Sequence, residues 1–174
     1  MTYFISGGAK NGKSTLAQDI AVALGGKRYY VATMISTGAE DDERIRRHIA
    51  DRAGLGFETV ECFKNILSVA DPEGTFLVDS VTALIQNSLF PMEKNYALDL
   101  DAANRCADEL VEFAHIVRHA VFVSDYIYSD AEAFSESTEM YRKCLADIDR
   151  RLAAVCDTVI EVSSGQHTVH KGYL

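Results

Sequence analysis

The run Gly7-Gly8-Ala9-Lys10-Asn11-Gly12-Lys13-Ser14 fits the pattern G-x-x-x-x-G-K-[ST]. Glycines let the main chain wrap an anion with its N–H groups pointing inward, and the helix that follows adds its positive end. Lys13 is spaced to reach the β- and γ-phosphates of a nucleotide, and Ser14 to bind Mg²⁺. A chance glycine turn is the competing reading, but the loop stands after a β-type run and before an amphipathic one, the context a phosphate loop requires. Asp79 closes the apolar run Phe76-Leu77-Val78. An acid in that place of a phosphate-loop fold holds Mg²⁺ or its water; otherwise it is a turn-forming acid. A second constellation is Arg44, His48 and Arg52, which recur every four residues and so share one helical face. The flanking arginines favour a neutral, nucleophilic imidazole and can pair with phosphates. Such an imidazole can form a phosphorus–nitrogen bond. Arg46 and Arg47 make the helix basic in general, so a solvated polar face is the plainer alternative. His115 and His119 are also four apart, but at a helix C-terminus a cation simply suits the dipole. His167 and His170 have no acidic partner close in sequence.

These residues need elements to position them. Tyr3 to Ser6 reads as a short strand entering the loop. Ser14 to Leu24 carries Leu16, Ala17, Ile20, Ala21 and Leu24 on one helical face and stops at Gly25-Gly26. Arg28 to Ala32 is a second strand, and Thr37-x-x-Glu40 has the form of a capping box for a helix running to about Ala53. Phe57 to Cys62 and Phe76 to Asp79 are further strands, the latter with the unbroken apolar character of a buried parallel strand. A helix over Val81 to Phe90 ends at Pro91, and a longer one covers about Leu98 to Arg118. Val121 to Ser124 is again a buried strand, Ser129 to Ser137 a polar, mobile loop, and Thr138 to Cys156 a long helix. Val159 to Ser163 and Thr168 to Lys171 pair as a closing hairpin around Ser164-Gly165. The alternation predicts an α/β P-loop NTPase fold: a RecA-like, mostly parallel central sheet flanked by helices, with a C-terminal antiparallel hairpin. At this length, residues 1–174 form a single nucleotide-binding domain.

With 48% hydrophobic and 25% charged residues, disorder is excluded as the main state. The formal net charge of -9 argues against nucleic-acid partners and anionic membranes. An anionic ligand must therefore be held by local donors. Cys62, Cys106, Cys144 and Cys156 form no C-x-x-C pair and read as buried thiols of a reducing compartment. No apolar run approaches the ~20 residues that span a bilayer, so a soluble, cytoplasmic protein is expected.

The segments FISGGAKNGKS (4–14), YYVATM (29–34), DDERIRRHIADR (41–52), FETVE (57–61), FLVDSVTALIQNSLF (76–90) and RRLAAVCDTVIEVSSG (150–165) together resemble the bifunctional adenosylcobinamide kinase / adenosylcobinamide-phosphate guanylyltransferases of cobalamin biosynthesis. The glycine loop is generic; R-I-x-x-H after an A-T strand end, with T-x-E downstream, is much more specific. The resemblance implies that His48 is guanylylated by GTP and that Thr33, Arg52 and Glu61 lie in the guanine-nucleotide site, with Asp79 at the strand end. It implies ATP or GTP with Mg²⁺ for the kinase step, a corrinoid acceptor (adenosylcobinamide), and a homo-oligomer, a trimer in the family. The chain departs from the family pattern in three places. The N-E-V-G segment is Ser124-Asp125-Tyr126-Ile127-Tyr128, R-D-x-x-G-x-x-N-Q is residues 142–150 (RKCLADIDR), and a tryptophan before T-x-E is Phe57. These changes bear on the acceptor half more than on the nucleotide half. They keep open a small-molecule kinase with another acceptor, or a nucleotide-responsive binding module lacking one activity.

Overall fold

The computed structural model describes residues 1–128 and 132–174. The loop expected over Ser129 to Ser137 therefore lies partly outside the described residues. Seven strands are found among them: β1 (Thr2–Gly7), β2 (Arg28–Ala32), β3 (Phe57–Glu61), β4 (Thr75–Asp79), β5 (His119–Asp125), β6 (Thr158–Ser163) and β7 (Gln166–Lys171). They form one sheet in the order β3-β2-β4-β5-β1-β6-β7. All neighbours pair parallel except β6 and β7, which close the sheet as an antiparallel hairpin. The predicted sheet and hairpin are thus present. β5 stands between the phosphate-loop strand β1 and the acid-bearing strand β4, and parallel pairing brings the carboxyl ends of all three to one edge, where ligands of such sheets bind.

Among the described residues there are five α-helices: α1 (Lys13–Leu24), α2 (Ala39–Asp51), α3 (Val81–Leu89), α4 (Leu100–Ile116) and α5 (Glu136–Val155). One core gathers residues of α3, α4 and α5 against Phe4, Val31, Phe76, Val78 and Phe122 of the sheet. There Phe113 meets Phe76 edge-on with ring centroids 4.9 Å apart, and Tyr29 stacks on Phe76 at 4.6 Å. Each fully buried side chain of this kind contributes about 1.5–3 kcal/mol, and each ring pair about 0.5–1.5 kcal/mol more. The other core packs α1 (Ala17, Ile20, Ala21) on Tyr3, Ile5, Leu77, Val121 and Val123. The alternation of strand residues between the two cores follows from the period of two.

Three expectations need correction: the α2 cap, the place of His119 and the burial of Cys144. The α2 cap is not the pair Thr37/Glu40: Gly38 occupies the cap position, and the backbone N–H and hydroxyl of Thr37 both donate to Asp41, at 2.9 and 2.6 Å. The helix begins one residue later than the motif implied, which moves the reciprocal acid from Glu40 to Asp41. His119 is not at a helix terminus; it opens β5, where its N–H donates to the carbonyl of Gly74 and its Nδ1 lies 3.0 Å from the N-terminal amine. His170, without an acidic neighbour in sequence, meets Glu161 across the hairpin at 2.9 Å. All four cysteines are free, and Cys144 is only partly buried.

Candidate active site

The loop between β1 and α1 takes the backbone shape its glycines allow. Gly12 sits at φ 98° as the α1 cap, and Lys10 adopts φ 57°. At Gly7 a Cβ would run into the carbonyl of Val162 on β6 and stand 2.6 Å from the Asn11 amide nitrogen. The amide of Asn11 donates to that same carbonyl, tying the loop to β6. Gly8, Ala9 and Lys10 cross the tip of the loop, and Ser14 follows Lys13 in the first turn of α1. Lys13 is buried, with its ammonium donating to the Gly8 carbonyl at 2.6 Å and lying 2.7 Å from Asp125 Oδ1.

Beyond this loop a cavity of about 430 Å³ opens between α2, α3 and the strand ends. The predicted stripe Arg44, His48 and Arg52 lines it together, as do Thr33, Glu61 and Asp79. His48 Nδ1 is buried without a hydrogen-bond partner among the described residues and lies 3.7 Å from Asp79 Oδ2. That oxygen accepts a hydrogen bond from Tyr30 at 3.0 Å, and the Arg52 guanidinium stacks on the Tyr30 ring at 3.8 Å. Arg52 also donates to Thr59 Oγ1, while its Nη1 is buried and unpartnered among the described residues. Burial, then the charge of Asp79, push the Tyr30 phenol far above its ordinary range, so it remains a donor. Thr33 is fully buried and its hydroxyl is held by Ser80: it donates to the Ser80 carbonyl at 2.8 Å and accepts from the Ser80 N–H at 2.7 Å. It therefore shapes the turn after Asp79, with its carbonyl bound by Asn87 at 2.8 Å.

Several contributors lie outside the motifs. Tyr30 reads in sequence as a strand residue, yet it connects Arg52 to Asp79. Asp125 reaches both Lys13 and the cavity. The two segments that depart from the family pattern meet each other: Tyr128 donates to Asp149 at 2.9 Å, and Arg142 Nε donates to the carbonyl of Ile127 at 3.0 Å. Asp149 is 3% exposed and its Oδ1 lacks a partner among the described residues. Burial first, and the charge of Asp125 in addition, raise its carboxyl to about 7, tempered by the hydroxyls of Ser124 and Tyr128. No signal within either segment announces this pairing; it depends on β5 and α5 being neighbours.

No three His, Cys, Asp or Glu side chains gather as a metal cage among the described residues. The hard oxygen donors Ser14 and Asp79 fit a Mg²⁺ that takes its remaining ligands from phosphate and water. Arg52, whose Nη1 is buried and unpartnered among the described residues, lines a cavity that also contains Asp125, the ion-pair partner of Lys13, and this fits a bound nucleotide.

The fold is shared with solved structures of low identity. An ATPase from the type III secretion system of pathogenic bacteria matches at 12% identity with a TM-score of 0.58, covering 93% of this chain and 51% of that one. A Pyrococcus horikoshii OT3 protein matches at 12% and 0.54, covering 99% and 87%, and the RadB recombinase at 17% and 0.51, covering 99% and 81%. The chain thus spans about half the length of the secretion ATPase. No curated protein matches the chain. A family model described as cobinamide kinase / cobinamide phosphate guanyltransferase matches residues 3–169.

Proposed function

Because the chain belongs to the cobinamide kinase / cobinamide phosphate guanyltransferase family, we propose that it phosphorylates adenosylcobinamide with ATP or GTP and then transfers GMP from GTP to the product by way of His48. One observation carries the reading: His48 faces Asp79 at 3.7 Å inside a cavity that Asp125, the ion-pair partner of Lys13 of the phosphate loop, also lines. A triphosphate would be gripped by the loop amides and Lys13, and the guanylyl step requires its α-phosphorus to come within reach of His48.

In the first step the acceptor hydroxyl takes the γ-phosphoryl group and a nucleoside diphosphate leaves. Lys13 offsets the charge on the transferred group. Mg²⁺, held by Ser14 and Asp79, would supply further charge neutralisation across the phosphates. In the second step a ring nitrogen of His48 attacks the α-phosphorus of GTP and pyrophosphate departs. The phosphate oxygen of the acceptor then displaces the histidine, giving adenosylcobinamide-GDP. Splitting the transfer in two replaces one difficult displacement by two easier ones. Nδ1 is the buried nitrogen beside Asp79, which leaves Nε2 as the nitrogen open to phosphorus. Arg44 and Arg52 line the same space and offer guanidinium donors to the phosphates, with Glu61 at the end of β3 available to guanine N–H groups. The reading includes a homo-oligomer, taken from the family resemblance, and a cytoplasmic location, which the free cysteines support.

The test is incubation with GTP labelled at the α-phosphorus. Wild type is expected to take up acid-labile label and His48→Ala none, while His48→Ala still phosphorylates cobinamide. Absence of label on wild type would falsify the guanylyl step.

A further inference from the structure

We propose that Asp125 is the group that takes the acceptor's proton in the phosphoryl-transfer step. This rests on the kinase reading above and assigns a residue to it.

Asp125 ends β5, in register with Gly7 at the start of the phosphate loop. Its Oδ1 lies 2.7 Å from the Lys13 ammonium, and its side chain, 22% exposed, lines the cavity. The position is built. The Asp125 N–H donates to Thr82 Oγ1 at 2.8 Å, and the Thr82 carbonyl accepts from Tyr141 at 3.2 Å, so α3 and α5 both fix the strand end. The lysine of a phosphate loop marks where the transferred phosphoryl group sits. A carboxylate touching that ammonium is therefore one contact from the reacting phosphorus. Asp125 also lines the cavity, so an acceptor hydroxyl that enters there can reach its carboxylate. Of the other strand-end carboxylates that line the cavity, Asp79 Oδ2 accepts from Tyr30 and faces His48, and Glu61 ends the edge strand β3, three strands from β5.

The acceptor hydroxyl oxygen forms a bond to the γ-phosphorus. The bond from that phosphorus to the β–γ bridging oxygen breaks, its electron pair leaving with the nucleoside diphosphate. The hydroxyl proton passes to the Asp125 carboxylate and from there to water in the open cavity. A positioned base of this kind contributes about 10²–10⁴-fold.

The experiment compares full-length wild type, Asp125→Asn and Asp125→Glu in three assays: phosphorylation of cobinamide by γ-labelled ATP, labelling by α-labelled GTP, and affinity for a non-hydrolysable ATP analogue. For Asp125→Asn, kcat for phosphorylation is expected to fall about 10²–10³-fold, with labelling and analogue affinity changed less than about threefold. Asp125→Glu is expected to regain at least about tenfold of the lost rate, because it restores a proton acceptor. Labelling by GTP doubles as the folding control. Phosphorylation by Asp125→Asn at the wild-type rate overturns the assignment, and so does a parallel fall in all three assays, which marks a role in shape or nucleotide grip alone. A wild type inert toward cobinamide defeats the kinase reading itself, and is told apart by being seen before any substitution.

Discussion

Helices α1 and α2 both deliver charged or nucleophilic groups to the same cavity, yet they are anchored in opposite ways. α1 buries Lys13, Ala17, Gln18, Ile20 and Ala21, and its apolar face is part of a core. α2, of nearly equal length, has no buried residue, and its Ile49 is 52% exposed. The phosphate grip is therefore continuous with the packing that folds the protein. The proposed nucleophile rides on an edge element whose composition is set by chemistry: acids in its first turn, then arginines and His48. What stands beside His48 is polar: its Nδ1 lies 3.7 Å from the carboxylate of Asp79, which accepts from Tyr30. Activity and stability should accordingly separate between the two helices.

Lys13 separates the two helices most strongly. Lys13→Ala is expected to lower kcat/KM for both phosphorylation and guanylylation by about 10²–10³-fold, since one preorganised cation serves both triphosphates. Survival of either activity at full rate would show that the steps use different phosphate sites. The next largest effect is on stability. Ile20→Ala on α1 removes a buried side chain and should destabilise by about 2–4 kcal/mol, seen as a drop in Tm of about 5–15 °C.

Asp149 sharpens the contrast from a third helix, since α5 buries a carboxyl where α1 buries alkyl groups. Its pKa is raised to about 7 in the folded chain, above the ordinary 3.8. The folded state thus holds a proton that the unfolded state releases, so its stabilising contribution is complete below about pH 4 and is lost as pH rises toward and through about 7. Asp149→Asn, which keeps an acceptor for Tyr128, should raise stability at pH 8 by on the order of 2 kcal/mol and leave it unchanged at pH 4. Denaturant melts at the two pH values measure this, and an equal effect at both would exclude the titration as its cause. Smallest of all, Ile49→Ala on α2 should alter stability by less than about 0.5 kcal/mol. A cost above about 2 kcal/mol there would mean that α2 is anchored by packing after all.

Much of this was legible in the residues. The glycine loop, the apolar run ending in Asp79 and the four-residue spacing of Arg44, His48 and Arg52 are local patterns, and the structure brings all of them to one edge of the sheet. Local patterns failed where a neighbour in space decided the outcome. The α2 cap moved to Gly38 and Asp41 because several acids in a row can answer the same Thr37. His119 joined a strand because the Gly74 carbonyl and the N-terminal amine were there to receive it. The link of Tyr30 to Arg52 and Asp79, and that of Asp125 to Lys13, were not legible because strand order rather than sequence distance sets these partners.

The Asn11 side chain holds a carbonyl of β6, which lies 151 residues further along the chain. The nucleotide grip is therefore guyed from the far end of the polypeptide. A disturbance of the closing hairpin, such as an insertion between Ser164 and Gly165, would slacken the loop from behind and loosen the triphosphate without altering any group that touches it.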